Sequence, residues 1–254
     1  MSLPELRERP LQRWTLVQSV LWLPILLLLP LQLGSGRLAE LTSGELSPQE
    51  IALRWIPLAL MLISYGGLWF TLRAGRTLAD WVTLARFAGL IGFVILINLA
   101  GQVTWIAWIL ALVVILGDLV DGYVARRFGS SPGGAVLDME TDQFSTLALA
   151  IVAATLMDAG YWTLALPAFK YMFVLAMTLM SIKSTDPKPC DGDNQRGRLI
   201  CAIVLGLLLA SIFPAFSATI RGTASAAAVL LLAYSFSSDA AFLWRAAREI
   251  SAPS

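Results

Sequence analysis

The run GDLVDGYVARRFGSSPGGAVLDMETD, residues 117–142, places four aspartates at the junction of two long apolar segments. Asp118 and Asp121 end the first segment, and Asp138 and Asp142 lie near the start of the second. The residues between Gly129 and Gly133 favour a turn. The run therefore predicts two antiparallel helices that carry all four carboxylates at the same end.

Helical spacing places these aspartates together with small residues. Positions three or four apart share one face of an α-helix. One face of the first helix is predicted to hold Asp118, Asp121, Gly122 and Ala125. One face of the second is predicted to hold Gly134, Asp138 and Asp142. Facing stripes would form one pocket with four carboxylates. The small residues leave room for a flat or bulky ligand, and Arg126 suits a phosphate.

Four like charges in a medium of low dielectric constant repel one another strongly. No lysine or histidine accompanies them, and Arg126 and Arg127 cannot neutralise four carboxylates. Two divalent cations would, and oxygen ligands favour Mg²⁺, Ca²⁺ or Mn²⁺ over zinc or copper. The alternatives are solvated carboxylates at helix ends and structural salt bridges from the two arginines.

The composition indicates a membrane protein and excludes several kinds of site. Hydrophobic residues make up 57 % of the 254 residues and charged residues only 14 %, against about 45–50 % and 25 % in soluble proteins. The chain has no histidine, which excludes a Ser-His-Asp triad and an HExxH zinc site. A net charge of +1 gives no basic field for nucleic acid.

The hydropathy pattern predicts an all-α, polytopic membrane bundle. Eight segments are long and apolar enough to span a bilayer. They are 15–33, 52–72, 84–100, 104–122, 134–157, 161–181, 199–213 and 220–244. Residues 73–83 are predicted as a short surface helix or a polar loop. With a cytoplasmic N-terminus, 14 of the 18 basic residues lie inside, which favours an active site on the cytoplasmic side.

The motif resembles that of the CDP-alcohol phosphotransferase (CDP-alcohol phosphatidyltransferase) family, D-x2-D-G-x2-A-R followed by G-x3-D-x3-D. All eight fixed positions are filled, and the seven-residue spacer is one shorter than the usual spacer. Residues 80–86 also resemble the family's short entry helix with its T-x-x-R. The resemblance implies a six-helix core at 77–248, preceded by an extension with two transmembrane helices at 1–76 and followed by a tail at 249–254.

The resemblance implies a role for each motif residue. Asp118, Asp121, Asp138 and Asp142 would bind two divalent ions, Mg²⁺ or Mn²⁺, and Asp142 would also act as the general base. The CDP group would lie on Asp118, Gly122, Ala125, Arg126 and Gly134. An acceptor hydroxyl would attack the β-phosphorus of a CDP-alcohol, with CDP-diacylglycerol the favoured donor, and CMP would leave. A homodimer is also implied.

The acceptor is less constrained than the donor. Lys183, Arg196 and Arg198 are basic residues near the predicted inner face that would suit a phosphorylated acceptor, although positive-inside bias explains them equally well. Glycerol 3-phosphate is the first expectation and inositol phosphate the second. Two charged residues in other segments, Lys170 and Asp239, are either pocket residues or structural partners.

Three other interpretations remain. The protein could use a soluble CDP-alcohol donor with a lipid acceptor, be a catalytically silent homologue, or be a transporter whose acidic cluster binds a coupling cation. A transporter predicts repeated halves with broken helices near the midplane, and no such repeat is present.

Overall fold

The computed structural model is helical throughout the parts of the chain that it describes, which are residues 17–18, 21–22, 48–72, 77–129, 131–169, 171–172 and 191–251. The long helices are α1 (Pro48–Leu72), α2 (Leu78–Ala100), α3 (Trp105–Phe128), α4 (Pro132–Leu156), α5 (Asp191–Ser211) and α6 (Ala218–Ser251). A short 3₁₀ helix, Tyr161–Leu164, follows α4. Within these residues the prediction of an all-α protein is confirmed.

Local capping chemistry determines where the central helices begin. Thr77 and Asp80 form a reciprocal capping box at the start of α2, which satisfies backbone N–H groups that have no partner within the helix. The residues from Leu78 to Thr83 are therefore the first turns of α2. The prediction of a separate surface helix or loop there was wrong, because the polar residues of this stretch face other helices.

Helix α2 lies between the two motif helices. It packs against both α3 and α4, whereas α3 and α4 make few direct contacts with each other. The turn between them is short, as predicted, and Ser131 caps α4 by accepting a hydrogen bond from Gly134 N. The motif helices are thus joined by a short turn, while α2 packs against both of them.

Helix α4 is the inner helix of the bundle. Leu137, Phe144 and Leu147 are fully buried, and α4 contacts α1, α2, α5 and the 3₁₀ helix. It also buries polar residues such as Glu140 and Gln143. Because protein surrounds α4, its sequence need not match the hydropathy that lipid requires.

Three described helices are long and apolar enough to cross a membrane. They are α2, α3 and Ala218–Ser238 of α6. Shorter apolar helical stretches span Trp55–Phe70 and Leu199–Ser211. The predicted count of eight spanning segments stays a prediction. Most of 15–33 and the second half of 161–181 lie outside the described residues.

The far end of α4 is held by the first turns of α6. Arg221 Nη1 donates to the carbonyl oxygen of Met157 at 2.9 Å. Ser225 Oγ donates to the Ala159 carbonyl oxygen at 2.6 Å and accepts from Trp162 Nε1 at 3.0 Å. The first two bonds satisfy backbone carbonyls of the residues that follow α4.

Candidate metal and nucleotide site

The four motif carboxylates meet at one end of the bundle. Oxygen atoms of Asp118, Asp138 and Asp142 all lie within 4.8 Å of one another. Their side chains are 38–45 % exposed, whereas that of Asp121 is 4 % exposed. The structure therefore brings together the four aspartates identified in the sequence, with one buried in the protein and three at the rim.

Arg86 of α2 lies among these carboxylates. Its Nη1 is 3.0 Å from Asp121 Oδ2 and 2.7 Å from Asp138 Oδ1, and its Nη2 is 2.6 Å from Asp142 Oδ1. Asp118 Oδ1 is 3.6 Å from Nη1. One guanidinium thus bonds three carboxylates and attracts a fourth. Negative charge remains in excess, and a divalent cation would offset it.

Arg86 was not predicted to lie at this site. The arginines beside the motif in sequence are Arg126 and Arg127, but in the described part of the chain neither forms an ion pair with a carboxylate. Arg127 Nη1 instead donates to Tyr123 Oη at 2.8 Å. The alternative in which these two arginines neutralise the aspartates is therefore not what the structure contains, because the neighbouring cation comes from α2.

The position of Arg86 depends on α3. Its Nε donates to the carbonyl oxygen of Val114 at 3.3 Å. A Cβ added at Gly117 would lie 2.9 Å from Arg86 Cγ and 3.1 Å from Cδ. The arginine stem therefore crosses α3 where a side chain is absent, and the guanidinium reaches the carboxylates beyond it.

Asp121 has one oxygen with partners and one without. Oδ2 accepts from Thr83 Oγ1 at 2.7 Å and from Arg86 at 3.0 Å. Oδ1 is buried and has no hydrogen-bond partner among the described residues. Leaving a buried carboxylate oxygen unpaired is costly. An orphaned oxygen beside three further carboxylates fits a hard divalent cation, which prefers oxygen ligands.

The residues predicted to hold the CDP group on α3 form one surface. Arg126 is exposed, and its Nη1 lies 3.2 Å from where a Cβ on Gly122 would be. Its guanidinium therefore covers the backbone at Gly122. Ala125, one residue before Arg126, is half-buried. This surface lies about one helical turn beyond Asp118 and Asp121. The guanidinium of Arg126 on it suits phosphate recognition.

Gly134, on α4, has a different neighbour from the one expected. A Cβ there would overlap Asp80 Oδ1. Asp80 is fully buried, and Ser131 Oγ donates to its carboxylate at 3.0 Å. The space beside Gly134 is therefore occupied by a carboxylate from the start of α2. This contact ties the N-termini of α2 and α4 together.

The predicted acceptor residues are not placed. Lys183 lies outside the described residues, as does Lys170. Arg196 and Arg198 lie in the first turns of α5, and Asp239 lies in α6, but their side chains are also outside the described part. Their roles stay predictions.

Three polar residues of α2 contribute to the site without having been assigned to it. Asp80, Thr83 and Arg86 recur every third position in an otherwise apolar helix, and all three are buried. That spacing puts them close to one face. Buried polar groups on a lipid-exposed helix must have protein partners. The three-residue spacing of these polar residues could therefore have assigned them to the site.

Comparison with known families agrees with this arrangement. Residues 76–240 match the family model described as CDP-alcohol phosphatidyltransferase, and no curated protein or solved structure matches the chain significantly. The match covers well over half of the chain and contains Arg86 and all four motif aspartates. With three helices able to span a membrane, the chain is a membrane protein that belongs to the CDP-alcohol phosphatidyltransferase family.

Proposed function

We propose that this protein transfers a phosphatidyl group from CDP-diacylglycerol to the hydroxyl of a small acceptor and releases CMP. The observation that carries the proposal is the meeting of four motif carboxylates, one with an orphaned buried oxygen, inside the region matched by the family. A lipid-linked donor suits a site built from helices able to span a membrane.

Asp118, Asp121, Asp138 and Asp142 would hold two divalent cations, Mg²⁺ or Mn²⁺. When bound, these ions neutralise pyrophosphate charge and favour departure of CMP. Arg86 keeps the carboxylates of α3 and α4 together by offsetting part of their mutual repulsion. Its role is to position the ligands, and it needs no contact with substrate.

Asp142 acts as the general base. Its side chain is 38 % exposed, so an acceptor hydroxyl can approach it. The hydroxyl oxygen forms a bond to the β-phosphorus of the donor while Asp142 takes the proton. The bond between that phosphorus and the oxygen of CMP breaks, and CMP leaves with the electron pair. Positioning supplies much of the remaining rate enhancement.

The CDP group lies on Asp118, Gly122, Ala125, Arg126 and Gly134. Arg126 is exposed and carries a fixed positive charge beside bare backbone at Gly122, which suits the pyrophosphate. Gly134 contributes its backbone, since Asp80 already occupies the space beside its Cα.

The acceptor carries a phosphate. Lys183, Arg196 and Arg198 would bind it, with glycerol 3-phosphate the first expectation and inositol phosphate the second. A homodimer in the membrane is expected from the resemblance to the family.

The test is CMP release by purified protein in detergent with CDP-diacylglycerol, Mn²⁺ or Mg²⁺ and a panel of acceptors. Asp142→Asn removes the base and should lower the rate by about a hundredfold or more. Asp158→Asn is the matched control, because Asp158 is exposed at the other end of α4. Its φ of +52° also suits asparagine, so this variant should retain full activity.

Each outcome has a defined meaning. Acceptor-dependent CMP release that is lost in Asp142→Asn and kept in Asp158→Asn supports the proposal and identifies the acceptor. CMP release with a soluble CDP-alcohol and a lipid acceptor, but not with CDP-diacylglycerol, would mean that the donor is the soluble CDP-alcohol. Folded protein that binds donor without turnover is a silent homologue, and cation-coupled solute uptake into vesicles without CMP would indicate a transporter.

A further inference from the structure

The N-terminal extension reaches the helices that carry the carboxylates, although it lies outside the region matched by the family. Helix α1 packs against both α2 and α4, and Tyr65 of α1 is 3 % exposed. We propose that Tyr65 is a positioning residue: by stacking on Phe87, it holds Arg86 among the motif carboxylates and thereby raises their affinity for divalent cations. This inference rests on the proposed function in taking the carboxylates as a metal site.

The contact between Tyr65 and Phe87 is close and parallel. The ring centroids are 3.6 Å apart, and the planes differ by 5°. Phe87 is 5 % exposed and follows Arg86 directly in α2. The stack therefore fixes α2 at the turn from which the Arg86 side chain departs.

A second aromatic contact connects the extension to α4 at the same level. Phe144 follows Asp142 by two residues. Its ring centroid lies 6.1 Å from that of Phe87 and 6.3 Å from that of Trp22. Trp22 is fully buried, and its Nε1 donates to Gln18 Oε1 at 2.8 Å. Two parts of the extension thus support the helices that supply Arg86 and Asp142.

The ring of Tyr65, and not its hydroxyl, carries this contact. The hydroxyl oxygen is buried beside Thr141. Thr141 donates its own hydroxyl hydrogen to the Leu137 carbonyl oxygen at 2.8 Å. Removing the hydroxyl while keeping the ring should leave the site intact.

The physical need for such support comes from Arg86 itself. A long arginine side chain loses considerable rotamer entropy when it is fixed. Its planar fork must also keep one orientation to bond carboxylates of both α3 and α4. If α2 shifts at Phe87, the fork no longer offsets repulsion among the carboxylates, and they move apart.

Gly117 offers an independent way to displace Arg86 without changing any charge. A methyl group there would lie 2.9 Å from Arg86 Cγ, so Gly117→Ala should push the stem aside. Gly92→Ala is its matched control in the same α2–α3 interface, because a Cβ at Gly92 meets only Leu110 at an ordinary 3.5 Å.

The experiment measures Mn²⁺ affinity of the full chain in detergent by electron paramagnetic resonance, since the signal of free Mn²⁺ is lost on binding. Tyr65→Leu should weaken binding by about tenfold, the usual effect of removing an outer partner of a metal ligand. Gly117→Ala should weaken it similarly. Tyr65→Phe and Gly92→Ala should match the wild type.

A general loss of stability is separated from positioning by Phe213→Leu. Phe213 packs on Trp105 and Trp108, with centroids 5.2 and 4.9 Å away, far from the carboxylates along α3. This variant should lower the thermal midpoint and leave Mn²⁺ affinity unchanged. Equal weakening in Phe213→Leu and Tyr65→Leu would overturn the proposal, as would unchanged affinity in Tyr65→Leu or weak binding in Tyr65→Phe.

The double variant Tyr65→Leu/Gly117→Ala tests whether both residues act through Arg86. If they do, the second change adds little to the first; full additivity would mean independent effects and would contradict the proposal. Normal Mn²⁺ affinity in Tyr65→Leu overturns this inference alone. Tight Mn²⁺ binding by the wild type without CMP release overturns the proposed reaction alone.

Discussion

The two ends of α4 each meet an arginine, and the arginines do different things. At the N-terminal end, Arg86 bonds three carboxylates and attracts a fourth. At the C-terminal end, Arg221 donates to the carbonyl oxygen of Met157 at 2.9 Å and contacts its sulfur at 3.5 Å. Arg86 faces a surplus of formal negative charge, whereas Arg221 faces only the partial charges of a helix terminus.

This difference separates a functional end from a structural one. Arg221 caps the chain after α4 through its Nη1, and its buried Nε has no hydrogen-bond partner among the described residues. In the described part of the chain, Asp121 Oδ1 has no hydrogen-bond partner, and Arg86 is the arginine that lies among the four carboxylates. A cap on backbone carbonyls needs no cation, whereas four carboxylates gathered around one guanidinium favour a divalent cation. The following variants test that distinction, from the largest expected effect to the smallest.

Replacing each arginine separately with glutamine should give the largest difference in stability and in CMP release. Arg86→Gln leaves Asp121 buried without its cation and should lower the free energy of unfolding by about 3–5 kcal/mol. It should also reduce CMP release by about a hundredfold. Arg221→Gln should cost only about 1 kcal/mol and leave CMP release unchanged. Thermal unfolding and CMP assays check both, and equal loss of activity in the two variants would refute the distinction.

A divalent cation should bind at the carboxylate end of α4 and not at the end capped by Arg221. At a hundred times its dissociation constant, Mn²⁺ should stabilise the protein by about 2.7 kcal/mol, seen as a higher thermal midpoint that EDTA reverses. Arg221→Gln should show the full increase. Asp138→Asn, which removes a rim carboxylate, should show little, and an undiminished increase in that variant would place the ion elsewhere.

A methyl group at Gly134 should disturb the junction of α2 and α4. It would overlap Asp80 Oδ1, and overpacking of this kind costs about 1–3 kcal/mol. Gly206→Ala in α5 is the matched control, since no atom lies within 4 Å of its added Cβ, and it should be neutral or stabilising. Thermal midpoints compare them; equal midpoints would mean that Asp80 moves freely.

Ser225→Ala should have the smallest effect and be purely structural. It removes a 2.6 Å hydrogen bond to the Ala159 carbonyl oxygen and leaves Trp162 Nε1 without its acceptor. The expected loss is about 1 kcal/mol of stability, with Mn²⁺ affinity and CMP release at wild-type values. A change in Mn²⁺ affinity would show that the two ends of α4 are coupled.

Much of the site could be predicted because its residues are close in sequence. Asp118 and Asp121 share one helical face, and Asp138 and Asp142 share another, so spacing alone placed them in pairs. Family resemblance added their expected roles. The acceptor side could not be treated in the same way, since Lys183, Arg196 and Arg198 are scattered and positive-inside bias explains them without a ligand.

The contacts of α2 could not be predicted from local patterns. Local patterns predict residues 73–83 as a surface helix or a loop, because hydropathy alone treats Asp80 and Thr83 as solvent-facing; residues 73–76 lie outside the described part of the chain. In the fold both are buried, with Asp80 against Gly134 and Thr83 on Asp121. Hydropathy likewise could not show that α4 is the inner helix of the bundle and buries Glu140 and Gln143.

The sequence by itself determined the helical class, the membrane character and the pairing of aspartates on each motif helix, because these depend on composition and on the 3.6-residue period. Only the tertiary structure decided that α2 packs against both of those helices and that Arg86 is their shared cation. It also decided that Tyr65 from the extension stacks beside Arg86. The period of a helix specifies which of its residues share a face, but only packing among helices specifies what that face meets.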